Sequence, residues 1–504
     1  MHKIDKLIDQ VTMYRLLIYY LLGLIIVAFF LGLFRDITYN PISILVSAGI
    51  LVGANYIINK IFASMFDAPS ASESAIITGL ILCLIISPTL GLYNILFLLA
   101  ASGLAQASKY LITYKNKHIF NPAAIAVVLT AFGPKQSASW WIGTGVILPF
   151  VIIGGILILR KINRIKMFLY YFIATTLSTI FYAILSKVSV ATSIHDMIFS
   201  SAVFFLGFVM LTEPLTSPPT SKKQNIYAII VGFLLPPQVH FGSFYTTPEI
   251  SLIIGNIYSF IVSPKGTLLP RLKQKLRISS DSVDFIFEPD KKINYSPGQY
   301  MEWTIPHENT DSRGNRRIFT LASSPTEPDL RIGIKFYNNG SSFKEAIMQI
   351  NRNSLVSAHQ IAGDFTLPKT KNEKLVFIAG GIGITPFRSM VKYLMDTNQR
   401  RDIVLFYSVK NESDLAYKEV FDRAKKELGI KVIYVLTGKN TTNTRVGEIN
   451  GRINYKLIQE YVSDFENRTF YISGTSSMVG SIKKQLKGIG VLRSRIKSDE
   501  FSGY

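Results

Sequence analysis

Long apolar runs crowd the first half of this 504-residue chain and vanish from the second, and no other feature of the sequence restricts its fold as much. They recur over residues 14–34, 41–63, 75–87, 92–112, 141–159, 167–185 and 197–211. Most approach the roughly 20 helical residues needed to cross about 30 Å of hydrocarbon. Shorter runs at 121–132, 227–235 and 250–262 read as tilted, broken or protein-buried segments, giving about ten in all. Charge follows the opposite gradient: residues 1–270 hold 17 Lys and Arg and 8 Asp and Glu, leaving 37 and 25 for residues 271–504. The pattern predicts a membrane domain over 1–264 and a globular remainder, with the boundary near 265–272.

A net charge of +21 would point to nucleic acid on a soluble chain. Here many basic residues flank the apolar runs, where cytoplasmic Lys and Arg set orientation, and no nucleic-acid motif accompanies them. With about ten segments, Lys60, Lys109, Arg160, Lys161, Arg164, Lys166, Lys222 and Lys223 fall on one side, and Arg35, Lys135 and Lys187 on the other. Both termini are therefore expected in the cytoplasm of a multi-pass protein of the cell membrane. The first run is longer than a signal-peptide core and lacks a small-residue cleavage site. The one cysteine, Cys83, excludes an internal disulfide and a four-thiolate iron–sulfur cluster, and no metal-ligand set is predicted. Asp67, Glu73, Asp196, Glu213 and Glu249 all lie near loop edges, so strong ion pumping by this chain alone is not expected.

Three phrases are more specific than hydropathy: Ile76-Ile-Thr-Gly-Leu-Ile-Leu, Phe120-Asn-Pro-Ala-Ala124 and Met210-Leu-Thr-Glu-Pro-Leu-Thr-Ser-Pro218. Asn-Pro and Glu-Pro steps remove backbone donors and break helices, which is tolerated where the break lines a protein-buried cavity. With the later Gly255-Asn-Ile-Tyr-Ser-Phe260, they resemble, over residues 40–264, the family of flavin-carrying membrane subunits shared by the sodium-translocating NADH:quinone reductase and the Rnf electron-transport complex. That resemblance implies electron transfer across the bilayer and a second flavin esterified to a Thr in a Ser-x-Ala-Thr motif. The chain departs from the pattern: residues 131–140 contain no such Thr. A look-alike, Ser189-Val-Ala-Thr192, comes one helix late, leaving Thr192 as a candidate attachment point or as ordinary loop chemistry.

The second half alternates like strands at Val283-Asp-Phe-Ile-Phe-Glu288 and Arg331-Ile-Gly-Ile-Lys-Phe336. From Leu375 on, apolar strands at 375–379, 402–407, 431–435 and 469–473 alternate with helical stretches, which predicts a parallel sheet with helical crossovers. Into this frame fall Pro297-Gly-Gln-Tyr300, Arg317-Ile-Phe-Thr-Leu-Ala-Ser323, Gly340-Ser-Ser342, Gly380-Gly-Ile-Gly-Ile-Thr-Pro386 and Ser473-Gly-Thr475. Together they resemble the ferredoxin-NADP reductase superfamily across residues 272–504. The resemblance implies an antiparallel flavin β-barrel over 272–370 and an α/β nucleotide-binding domain over 371–504.

Alternate residues of one strand share a face, so Arg317 could offer its donor fork to a flavin phosphate while Phe319 stacks on the ring. Gln299, Tyr300 and Ser323 flank that strand, and Thr320 is placed for the flavin atom that receives hydride. Gly340, Ser341 and Ser342 open a helix whose free N–H groups suit a diphosphate. Gly380, Gly381 and Gly383 allow a dinucleotide close to the backbone, Thr385 and Pro386 begin the following helix, and Gly474 flanks the nicotinamide. Ser473 stands where the family has Cys, and Phe501 or Tyr504 is a candidate to shield the flavin. Ser408 and Lys410 follow the strand that reads the adenosine ribose and do not separate NADH from NADPH.

The whole reads as a multi-pass α-helical membrane domain followed by an antiparallel β-barrel flavin domain and an α/β parallel-sheet domain. The expected activity carries electrons from cytoplasmic NAD(P)H through FAD, or FMN, to a quinone, a membrane flavin or an extracytoplasmic acceptor. Two alternatives remain: a haem-type ferric reductase or NADPH oxidase, and a non-catalytic subunit of an ion-coupled redox complex. The six histidines show no paired spacing for haem.

Overall fold

A computed structural model describes residues 11–66, 72–114, 117–132, 137–143, 145–264, 266–308, 310–311, 314–337, 340–354, 356–438 and 448–501. The chain divides into two compact units, Met1–Thr267 and Leu268–Tyr504.

In the first unit all ten apolar runs are wholly or partly helical. Among the described residues, three helices are long and apolar enough to cross a membrane: Met13–Leu33, Pro41–Met65 and Ile165–Leu185. A fourth arises if Val190–Phe199 and Val203–Met210, bent by 57°, form one span. The expected ten or so membrane segments are corrected to these three or four candidate spans, and two of the runs expected to be short are so. Pro122 opens a helix of 11 residues and Pro248 one of 15, about 16 and 22 Å long. Caps set the starts: Asn40 Oδ1 accepts from the Ile42 amide at 2.8 Å, and Thr247 Oγ1 from Ile250 at 3.4 Å.

The unit exposes many apolar side chains around a core that is itself largely apolar and holds a few polar residues. Ile26, Phe30, Ile57, Ile61, Leu177 and Phe181 are at least half exposed, whereas Asn55, Ser102 and Gln106 are fully buried. Gln106 donates to Asn55 Oδ1 at 2.5 Å, and Asn55 donates to Ser102 Oγ at 3.0 Å and to the Leu51 carbonyl at 2.8 Å. These buried polar side chains thus pair with one another within the apolar core, while many apolar side chains also face out. The two proline phrases also meet: Asn121 Nδ2 donates to Glu213 Oε2 at 2.9 Å, and Thr216 Oγ1 donates to the same oxygen at 2.8 Å. Asn256 joins them, accepting from the Asn121 amide at 2.8 Å and donating to Tyr227 at 3.1 Å.

The second unit begins with six strands: β1 Arg271–Arg277, β2 Ser282–Glu288, β3 Tyr300–Thr304, β4 Arg316–Thr320, β5 Leu330–Lys335 and β6 Ser357–Ala362. They form two three-stranded antiparallel sheets, β1-β2-β5 and β6-β3-β4; the antiparallel pairing that was expected is present, and a barrel is not shown among the described residues. An isolated bridge between Leu268 and Ala358 links them. Register shifts in β1 between Leu272 and Gln274 and in β6 between His359 and Ala362 bend the strands and interrupt pairing, and Gln360 in the second takes φ 57°. The sheets share a core of Phe285, Phe287, Met301, Trp303, Ile332 and Phe343.

The parallel sheet follows: β7 Leu375–Gly380, β8 Ile403–Val409, β9 Lys431–Leu436, β10 Glu448–Asn450, β11 Thr469–Thr475 and β12 Ile496–Phe501. Its order is β10-β9-β8-β7-β11-β12, with every described pairing parallel. Both faces are covered, which explains why the strands read as continuous apolar runs. Phe377, Leu405 and Tyr407 pack with the helices Thr385–Asp396 and Lys418–Leu428. Ile378, Phe406 and Ile472 pack with the helices Tyr455–Tyr461 and Ser476–Gly488.

Phe377 is fully buried and stacks on Phe387 with ring centres 4.7 Å apart. Phe377→Ala is expected to cost about 3–5 kcal/mol and to lower the melting midpoint of this unit by about 10 °C, read by thermal denaturation of the purified protein. A shift below about 2 °C would mean that the sheet is not packed as described.

Candidate flavin and nucleotide site

Among the described residues, β4 lies at the edge of its sheet, paired with β3 so that Thr320 stands opposite Tyr300 and Arg317 opposite Trp303. Pleating sends Arg317 and Phe319 to one side, where both meet Phe343 in the helix Ser342–Gln349. The Arg317 guanidinium lies 5.2 Å from that ring and the Phe319 ring 5.8 Å from it. Ile318, on the opposite side, is exposed.

Arg317 does not stand as an unengaged fork. It donates to the carbonyls of Gly314 at 3.1 Å and Arg316 at 2.7 Å and lies 4.0 Å from Asp311. Asp311 also reaches the helix start that was assigned to a diphosphate. Its Oδ2 accepts from the Ser342 amide at 2.9 Å, and its own amide donates to Ser342 Oγ at 3.0 Å, with His307 Nε2 3.0 Å from the same hydroxyl. A carboxylate therefore stands where an anion is favoured by the helix terminus. Ser341 Oγ, beside it and next to Gly340, is buried without a hydrogen-bond partner.

Two predicted residues act as ties within the fold. Gln299 accepts from the Ser296 amide at 2.8 Å and donates to the Gly363 carbonyl at 3.1 Å, while the neighbouring Tyr300 ring packs against Gly363. Ser323 is fully buried; its hydroxyl accepts from the Arg331 amide at 3.1 Å and lies 2.9 Å from Tyr295 Oη.

The glycine segment turns sharply from β7 through a 3-10 turn at Gly381–Ile384 into the helix Thr385–Asp396, with Pro386 in its first turn. Gly381 has φ +55° and open space where a side chain would begin. At Gly383, a Cβ would stand 2.5 Å from the Ser473 carbonyl oxygen, and at Gly380, 2.2 Å from Met478 Sδ. A Cβ on Gly474 would lie 3.4 Å from the Gly380 Cα, so the ends of β7 and β11 are nearly in contact. Thr385 turns inward and donates to the Ile382 carbonyl at 3.1 Å.

Ser473 and Thr320 meet a residue that the motifs did not single out. Ser473 is fully buried, and its hydroxyl has no hydrogen-bond partner among the described residues. In register beside it on β12 stands Asp499, whose Oδ2 accepts from Thr320 Oγ1 at 3.4 Å. Burial pushes the Asp499 carboxyl up to about 6, although the Thr320 hydrogen bond opposes the shift. The segment Asp499-Glu-Phe501 drew notice for its aromatic alone, because an acid's importance here depends on strand register. Phe501 ends β12 opposite Thr475, and Tyr504 lies outside the described residues. Met478, His307 and Asp311 likewise had no local signal. In the first unit, exposed Thr192 supplies a helix-start amide to Ser189 Oγ at 3.4 Å.

The residues fit a flavin and a dinucleotide: two orphaned buried hydroxyls and a glycine cradle that a Cβ would fill all belong to one compact unit. Residues 377–484 match the family model of the oxidoreductase NAD-binding domain. Over 249 residues the chain is 25% identical to flavohemoprotein A of Dictyostelium discoideum, covering 45% of this chain and 58% of that protein. Over 239 residues it is 23% identical to the glycine betaine monooxygenase reductase subunit of Pseudomonas aeruginosa, covering 47% and 64%. The chain therefore spans less than two thirds of either relative. The flavohem-like FAD/NAD-binding domain of nitric oxide dioxygenase from Vibrio cholerae aligns at 19% identity with a TM-score of 0.40, covering 47% of this chain and 98% of that one.

With its carboxyl near 6, Asp499 is charged above that pH and accepts the Thr320 hydroxyl, whereas below it the acid can itself donate. Nucleotide-dependent bleaching of bound flavin is expected to change rate through about pH 6 in the wild type and to lose that inflection in Asp499→Asn. An identical inflection in the variant would assign it elsewhere.

Proposed function

We propose that this chain is a membrane-bound NAD(P)H-dependent flavin oxidoreductase whose C-terminal unit takes hydride from cytoplasmic nucleotide and whose N-terminal unit receives the electrons. The observation that carries the reading is the meeting of Thr320, Ser473 and Asp499 beside the glycine turn that ends β7. FAD, when bound, supplies the step from a two-electron donor to one-electron transfer. Arg317 and the Gly340-Ser341-Ser342 helix start would hold its phosphates, Phe319 its ring, and Tyr300 and Gln299 the neighbouring edge. Gly380, Gly381, Gly383, Thr385 and Pro386 would shape the nucleotide site, with Ser473 and Gly474 at the nicotinamide. Thr320 and Asp499 would hold or move a proton at the flavin face. FAD is favoured over FMN by the resemblance to ferredoxin-NADP reductases, with flavin and nucleotide parts at 272–370 and 371–504.

The many apolar side chains exposed along the helices of residues 1–264 support a lipid bilayer as solvent, and the basic loops support a cytoplasmic C-terminal unit. A quinone or a second flavin in that N-terminal unit would accord with the resemblance to the membrane subunits of the NADH:quinone reductase; a redox protein is the remaining class of acceptor. Haem is disfavoured in the same unit, where His195 and His240 are exposed and His118 lies 3.9 Å from Glu213.

Flavin extraction and anaerobic bleaching by NADH or NADPH test the proposal. Arg317→Ala is expected to weaken flavin binding about ten- to a hundredfold, the loss of about 1.5–3 kcal/mol that a charged hydrogen bond carries. Unchanged flavin retention would remove Arg317 from the site, and a colourless wild-type protein inert to both nucleotides would overturn the function. Acid-resistant flavin would reveal covalent attachment in the membrane unit.

A further inference from the structure

The loop that closes the flavin strand is tied to the nucleotide helix through contacts that play no part in holding either cofactor. Arg388, one turn into the helix Thr385–Asp396, is buried. Its Nη1 donates to the Ala322 carbonyl at 2.9 Å, and its two terminal nitrogens grip Glu327 bidentately, Nη2 to Oε1 at 2.9 Å. The next residue, Ser389, donates to the Ser323 carbonyl at 2.6 Å. Two consecutive carbonyls just beyond Thr320 are thus held by two consecutive residues just beyond Pro386. Glu327 is itself fixed to the loop, accepting from the Ser324 amide at 2.7 Å, with Arg331 Nε 3.5 Å away.

A second line of contact runs beside the first. Asp284 on β2 accepts from Arg331 at 3.0 Å and from Tyr417 Oη at 2.9 Å. Tyr417 holds a left-handed backbone, φ 57°, which a bulky residue adopts when surrounding contacts enforce it. At Gly333 on β5, a Cβ would lie 2.6 Å from Tyr417 Oη and 3.0 Å from Thr385 Cγ2. The strand therefore presses directly on the start of the nucleotide helix.

We propose that Arg388 is a positioning residue for hydride transfer, held in orientation by Glu327, and that it sets the spacing between the flavin strand and the nucleotide turn. The role rests on the reading of this unit as an NAD(P)H–flavin reductase. Burial opposes ionisation of Glu327, yet the Arg388 guanidinium beside it outweighs burial and holds the carboxyl below its ordinary range. A buried ion pair contributes little net stability compared with apolar packing. What it supplies is direction, since a planar guanidinium satisfies a carboxylate and a carbonyl in one orientation. Hydride transfer rewards that, because reacting atoms must approach to about 3–3.5 Å and a displacement of about 1 Å costs about a hundredfold.

The test uses full-length protein loaded with FAD, reduced anaerobically in stopped flow by NADH or NADPH carrying protium or deuterium at the transferred position. Arg388→Lys and Glu327→Gln are expected to keep flavin and to change the half-saturating nucleotide concentration by less than about threefold. Their limiting bleaching rate should fall about tenfold or more, with an altered deuterium isotope effect. Unchanged rates would overturn the role. So would rates that fall only with the folded fraction while the isotope effect stays at the wild-type value. Should Arg388→Lys fail to fold, Glu327→Gln and Glu327→Asp decide, with partial recovery expected in the shorter acid. A wild-type protein that holds FAD but is bleached by neither nucleotide would overturn the reductase reading itself, an outcome distinct from variants that match an active parent.

Discussion

The ends of two adjacent parallel strands come together at glycines, and the rest of the C-terminal site is arranged around that approach. A Cβ at Gly383 would collide with the Ser473 carbonyl, and one at Gly380 with Met478. Backbone closeness of this kind leaves no slack: it fixes where β11 stops, hence where Ser473 sits, hence which residue of β12 falls beside it. Asp499 occupies that place through register alone. The sequence cost is greatest at Gly383, where a side chain would meet the fixed Ser473 backbone, and at Gly381, whose positive φ strains any other residue.

The N-terminal unit answers a different constraint. Its helices expose many Ile, Leu and Phe side chains, pack others into an apolar core, and pair the few buried amides and hydroxyls with one another. The same logic explains why Asn121 and Glu213 meet. Each stands before a proline that ends or opens a helix, and each offers the other a partner for groups that would otherwise be buried unsatisfied.

Several of these features were legible in the amino-acid order. Alternation along 317–320 placed Arg317 and Phe319 on one side, and both do meet Phe343. The apolar runs from Leu375 onward became a parallel sheet buried on both faces. Hydropathy located the helices of the first half and the short ones opened by Pro122 and Pro248, but it counted more membrane segments than the three or four candidate spans among the described residues, because several apolar runs are covered only in part by helix. Alternation gave the antiparallel strands of 271–362 but not the bulges at Leu272 and His359, which have no signature in an alternating pattern. Asp311, Asp499 and the Glu327–Arg388 pair were invisible for one shared reason. Each matters through a partner distant in the chain, and no local motif encodes the meeting.

The Thr320–Asp499 hydrogen bond joins residues 179 positions apart, and Asp499 stands on the outermost strand of its sheet. A chain that has formed its antiparallel sheets and its glycine turn still lacks this pair until β12 docks. The pair therefore exists only when the last strand of the sheet docks in register, so the placement of Asp499 depends on the C-terminal end of the chain more than on either motif beside it.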